Sequence, residues 1–106
     1  MSATPVPYSL DKNNDTFAVF DGEVKGPARI LEVNWSVEDD STPGWVFMDW
    51  GNGTTSRPFH VSRMCTIKWP HDQEISANCT AKPCATEGVK VKTFITYRIP
   101  KPLNED

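Results

Sequence analysis

The stretch "GWVFMDWGNGTTSRPFHV", residues 44–61, decides the fold. Its first part is rich in aromatic and β-branched residues and suits a strand. On a period of two, Val46, Met48 and Trp50 share one face, and Trp45, Phe47 and Asp49 share the other. Asp49 marks the second face as the wetter one toward the turn. Gly51-Asn52-Gly53 then supplies the φ > 0 geometry that a tight hairpin demands. "TTSRPFHV" returns as a strand, and Pro58, with no N–H to donate, puts that strand at an edge or a bulge. Both faces of so short a strand cannot lie inside one small barrel. One set of rings must reach the surface, where an exposed aromatic cluster marks a contact site. We expect Trp50, with Phe20 and Phe59, to face the ligand near the 51–53 turn. Trp35 is a further candidate, and Asn52 is the turn residue beside them.

Outward from this hairpin the signals remain β signals. "TFAVF" (residues 16–20) is a short strand that Asp21-Gly22 ends. "PARILEVNW" (27–35) alternates, with Ala28, Ile30 and Glu32 on one side and Arg29, Leu31, Val33 and Trp35 on the other. "SVEDDSTPG" reads as a long hairpin loop and "MCTIKW" (64–69) as a short strand. "GVKVKTFITYRI" is the longest strand. Val89, Val91, Ile95, Tyr97 and Ile99 share a face, and a bulge near Thr93 would accommodate Phe94. "PHDQEISANCTAKPCATEG" has weak periodicity and reads as a long loop with one helical turn near residues 72–77. The expected fold is therefore all-β: a small barrel of five or six hairpin-linked strands with a long loop insertion. It would span residues 16–100, between tails at 1–15 and 101–106.

Composition bounds the function. The 106 residues fit one domain, and four Trp and five Phe give it enough bulk for a core. A net charge of −3 weighs against duplex nucleic acid as the partner. The charge is uneven, with Glu38, Asp39 and Asp40 in one patch and Lys90, Lys92, Arg98 and Lys101 on the last strand. No apolar run approaches a membrane span, and the first ten residues lack the pattern of a secretory signal, so we expect a soluble intracellular protein. Four Asn-x-Ser/Thr triplets, at Asn14, Asn34, Asn52 and Asn78, point instead to a secreted chain. We read them as chance in an Asn/Thr-rich sequence, a reading that reverses if a secretion signal precedes the native chain.

Cys65, His71, Cys79 and Cys84 form C-x5-H-x7-C-x4-C, a candidate zinc set that would give the long loop a reason to be ordered. The competing readings are a Cys79–Cys84 disulfide with Cys65 free, or three unrelated cysteines. No nucleophile motif frames His60 or His71. Of the available carboxylates, Glu38, Asp39 and Asp40 lie in a loop too pliant for paired acid chemistry. A non-catalytic role is expected, with no cofactor other than this zinc.

"FDGEVKGPARILEVN" and "WVFMDWGNGTTSRPFHVSRM" together resemble the SH3-like barrels of the Tudor type. "GWVFMDWGNGTTSRPFHV" is also similar to the SH3-like barrels of the Mind-bomb/Herc type. The likeness covers residues 16–64. It implies that Phe20, Trp50, Asn52 and Thr54 stand where readers of methylated lysine or arginine place cage residues. Asn52 replaces the acid and Thr54 the aromatic that such cages often carry. The resemblance thus implies an interaction module that meets a protein or peptide through aromatics, without nucleic acid or membrane. "DWGNGTTS" and "EGVKVKTFITYRI" resemble instead the PKD-type immunoglobulin-like sandwich. That likeness implies a secreted glycoprotein module binding carbohydrate or a protein partner.

Overall fold

The computed structural model describes Tyr8–Ser9 and residues 16–99. The described residues form strands and turns without a helix, as the all-β reading expects. In chain order the strands are β1 (Tyr8–Ser9), β2 (Thr16–Phe20), β3 (Val24–Lys25), β4 (Ala28–Val37) and β5 (Gly44–Asp49). They continue as β6 (Phe59–Val61), β7 (Thr66–Ile75), β8 (Thr80–Ala85) and β9 (Val91–Arg98). One sheet has the order β1-β2-β9-β4-β7 and the other β3-β8-β5-β6, with antiparallel pairing in both. Hairpin linkage is the exception here. Only β1 with β2 and β5 with β6 are consecutive neighbours, and every other connection between the named strands crosses from one sheet to the other. The tails expected at 1–15 and 101–106 lie outside the described residues, except that Tyr8–Ser9 pairs with β2.

The two sheets close on a single apolar core. The five-stranded sheet contributes Val19, Ile30, Val33, Trp35, Ile75, Ile95 and Tyr97, and the four-stranded sheet Val24, Val46, Met48, Val61 and Ala81. Alternation explains most of these positions, but β4 breaks it. Its register shifts between Ile30 and Glu32 against both neighbours: across this step β4 has one residue more than β9 and one fewer than β7. This bulge at Leu31 brings Val33 and Trp35 to the same inner face as Ala28 and Ile30, correcting the split expected from simple parity. The bulge expected near Thr93 is absent. β9 pairs with β2 in unbroken register, and Phe94 simply points outward, 4.7 Å from the ring of Phe20.

The long loop expected after Pro70 is also corrected. β7 runs on to Ile75, a turn follows in which the Cys79 N–H donates to the Ser76 carbonyl (3.0 Å), and β8 begins at Thr80. Residues 66–75 keep a strict alternation of exposure, which a helical turn would break. β7 is an edge strand of ten residues, and its outward positions Lys68, Pro70, Asp72 and Glu74 discourage pairing with another chain. β6, the edge of the other sheet, starts directly after Pro58. The acidic and basic segments meet across the end of the molecule. Lys90 Nζ donates to Asp40 Oδ2 (2.7 Å), the Glu38 N–H to the Lys90 carbonyl and the Thr42 N–H to the Gly88 carbonyl. No helix among the described residues is long and apolar enough to cross a membrane.

Candidate binding cleft

Strand β5 sorts its rings by parity, but the buried face is the one expected to be open. Val46 and Met48 are fully buried and Trp50 is 5% exposed, whereas Trp45 is 45% exposed. Trp50 reaches across the seam between the sheets and stacks on His71 of β7, with centroids 5.3 Å apart and ring planes 7° from parallel. His71 lies 4.2 Å from Trp69, which meets Phe59 edge-on at 5.0 Å. The Arg57 guanidinium covers the outer face of Phe59 at 5.8 Å. The Nε2 of His71 is buried without a hydrogen-bond partner, so its ring serves here as a flat plate between two indoles. This stack ties the edges of the two sheets together.

The other expected ligand residues are dispersed. Trp35 is fully buried. Phe20 is 51% exposed, but it stands on the outer face of the five-stranded sheet, away from Trp50 and Phe59. Asn52 is exposed in the turn, where its Oδ1 accepts from the Thr54 N–H (3.0 Å) and Oγ1 (2.5 Å). Phe20, Trp50, Asn52 and Thr54 therefore do not form one cage.

The candidate zinc ligands are likewise separate. Among the described residues no group of three or more His, Cys, Asp or Glu side chains is placed to hold a metal ion. The reason is the strand that replaces the loop: Cys79 directly precedes β8 and Cys84 is the fifth residue within it, a separation of about 16 Å for extended chain. That distance also excludes a disulfide between them, and all three cysteines are free. His71 is occupied by its two indoles.

The exposed aromatics stand on the outer face of the four-stranded sheet. There Trp45 and Phe47 line a cleft of about 380 Å³ together with Thr55, Ser56, Pro58 and Thr86. Each wall has a local cause. Trp45 pairs with His60 across β5 and β6, and the two rings meet edge to face (5.0 Å, 77°), which props the indole upright. Its backbone is held by Thr86, whose Oγ1 accepts from the Trp45 N–H (2.9 Å) and whose N–H donates to the Trp45 carbonyl (3.0 Å). Pro58 delays β6, and Ser56 replaces the missing ladder partner. The Ser56 N–H donates to the Met48 carbonyl (2.8 Å), and its Oγ accepts from the Met48 N–H (2.9 Å).

The cleft lining contains no charged side chain. Beside it, Cys84 lies opposite Phe47 on β8, and burial, followed by the charge of Asp49, raises its thiol pKa above the usual value. Among the described residues the Trp45 indole N–H has no hydrogen-bond partner and is free to donate to a ligand. The lining thus offers flat apolar contact, a rim of hydroxyls and one strong donor, and it lacks an acid–base pair. Trp45 and Phe47 were missed as site residues although their parity with Asp49 already marked their face as the wet one. Comparison with family models, curated proteins and solved structures finds no match for this chain.

Proposed function

We propose that this domain is a non-catalytic recognition module that takes an uncharged, proline-containing extended segment of a protein partner into the Trp45–Phe47 cleft. The observation that carries the reading is the half-exposed Trp45, propped on His60 beside Phe47 and Pro58 over a lining without charge. Upright aromatic ridges with a free indole N–H suit a polyproline-type backbone, whose rings fill the gaps and whose carbonyls accept. Carbohydrate is the lesser reading: the aromatic faces suit a sugar ring, but the lining supplies hydroxyls without the carboxylates or amides that fix sugar hydroxyls in place. Of the two architectures the sequence resembles, the arrangement of five and four antiparallel strands around one core supports the sandwich over the SH3-like barrel.

The test is a panel of ten-residue peptides varied in proline content and charge, titrated against the domain by calorimetry, with a matched panel of oligosaccharides. Uncharged proline-containing peptides should bind best, and Trp45→Ala should abolish that preference. Equal affinity for the parent and the Trp45→Ala variant, or binding confined to the sugars, would overturn the reading.

A further inference from the structure

Four of the six asparagines in this chain are followed two positions later by Ser or Thr. Ser and Thr make up 17 of the 106 residues, so about one such triplet is expected from composition. The structure sorts the three triplets it describes into two kinds. Asn34 sits in the middle of β4, paired on one side with Lys68 and on the other with Phe94. Its Oδ1 is buried, and the residue between it and Ser36 is the fully buried Trp35. Asn52 and Asn78 are the opposite case. Both are exposed, and each lies in a turn: Asn52 between two glycines of positive φ, Asn78 in the turn that links β7 to β8. They also share one end of the molecule, because Gly51 packs directly on the backbone of Thr80, the hydroxyl residue of the second triplet.

We infer that Asn52 and Asn78 are acceptor sites for N-linked glycan, and that Asn34 is not. In the transfer, the side-chain amide nitrogen bonds to the anomeric carbon of a lipid-diphosphate-linked oligosaccharide. The lipid diphosphate leaves with the bonding electron pair, and the amide gives up one proton. At Asn52 the required hydroxyl is already in place: Thr54 Oγ1 donates to Oδ1, which polarises the amide, and the residue is exposed. Both sites are at turns, where the backbone can be presented to a transferase and where a bulky, hydrated glycan displaces no packed side chain. A glycan on Asn34 would have to be accommodated between Lys68 and Phe94 on a half-buried sheet face. The inference does not depend on the cleft or its ligand.

The experiment expresses the full chain behind a cleavable secretion leader in a eukaryotic host and maps occupied sites by mass spectrometry after enzymatic deglycosylation in heavy-oxygen water. Label should appear at Asn52 and Asn78 and be absent from Asn34. Asn52→Gln and Asn78→Gln should each remove one glycan from the intact mass, as should Thr54→Ala and Thr80→Val with the asparagines retained. Asn34→Gln should leave the mass of attached glycan unchanged. An unlabelled Asn52 or Asn78, or a labelled Asn34, overturns the inference.

Discussion

Two Trp–His pairs in this small protein use the same chemistry to opposite ends. Trp50 lies flat on His71, sealed at the seam between the sheets, whereas Trp45 stands edge-on to His60 with nearly half its surface in water. Both tryptophans belong to the same stretch, five residues apart, and an odd separation along a strand puts them on opposite faces. What distinguishes them is the company each face meets. Trp50 finds Trp69 and His71, contributed by a strand that begins sixteen residues later, and becomes a fastener. Trp45 finds only its cross-strand neighbour and remains available. An aromatic-rich segment thus supplies both a buried fastener and the exposed ring on which the proposed recognition rests, and parity alone divides the two.

The sharpest way to break the comparison is to remove each indole. Trp50→Ala should cost about 3–5 kcal/mol in urea unfolding, because it empties a buried site and removes one of the two indoles that enclose His71. Trp45→Ala should leave stability within about 1 kcal/mol. In peptide titration the ranking should invert: loss of the exposed ring should weaken binding by about 2 kcal/mol, or roughly 30-fold. A Trp45 variant that unfolds like the Trp50 variant would dissolve the distinction.

Next in size are the two glycines of the connecting turn. Gly51 has φ +80°, and a Cβ there would lie 2.5 Å from the Thr80 carbonyl oxygen, whereas Gly53 has φ +91° and open space around it. Gly53→Ala should cost about 1 kcal/mol for backbone strain alone. Gly51→Ala should cost roughly twice that or more, since β8 must also shift. Equal losses in thermal or urea unfolding would show that the turn does not rest on Thr80.

The smallest expected effect lies on the surface. A hydrogen bond from Arg29 holds the Asp72 carboxyl below its usual pKa, and one from Lys90 does the same for Asp40. A carboxylate whose folded pKa is depressed contributes stability above the ordinary carboxylate range and loses it as pH falls through the folded value. Asp72→Asn should therefore make the decline of the urea midpoint below about pH 4 slightly shallower, and leave the midpoint at neutral pH nearly unchanged. A steeper decline would contradict the sign.

The legible part of the fold was the part governed by local parity. Strand β5, the glycine turn and the edge role of Pro58 follow from residues within a few positions of one another. The orientation of β5 did not, because which face is inner depends on Trp69, nineteen residues beyond Trp50 and in the other sheet. The second half of β7 was obscured for a different reason. Its inward positions are His71, Gln73 and Ile75, so the geometry alternates while hydropathy does not. β8 carries Lys82 and Pro83 and pairs with β3 only at Thr80 and Ala81, so it lacks the apolar run that marks a central strand. The candidate zinc set rested on that loop, and ligands spaced for a compact turn are drawn apart where the segment runs as a strand. As for the site, Asp49 signalled the wet face, yet the exposed turn and the larger number of candidate rings drew attention to Trp50.

The extra residue in β4 has a consequence for how this protein tolerates change in length. Ahead of Leu31 and behind it, the strand counts odd and even from different origins, and the two counts agree only because one position is spent on the mismatch. Deleting Leu31 would place Ala28, Ile30, Val33 and Trp35 on one unbroken alternation, all still facing inward, and would regularise the pairing with β9 while widening the mismatch with β7. A single lost codon beyond the bulge, at Asn34 for example, would do what few substitutions can, exchanging inside for outside over the rest of the strand with every other amino acid intact.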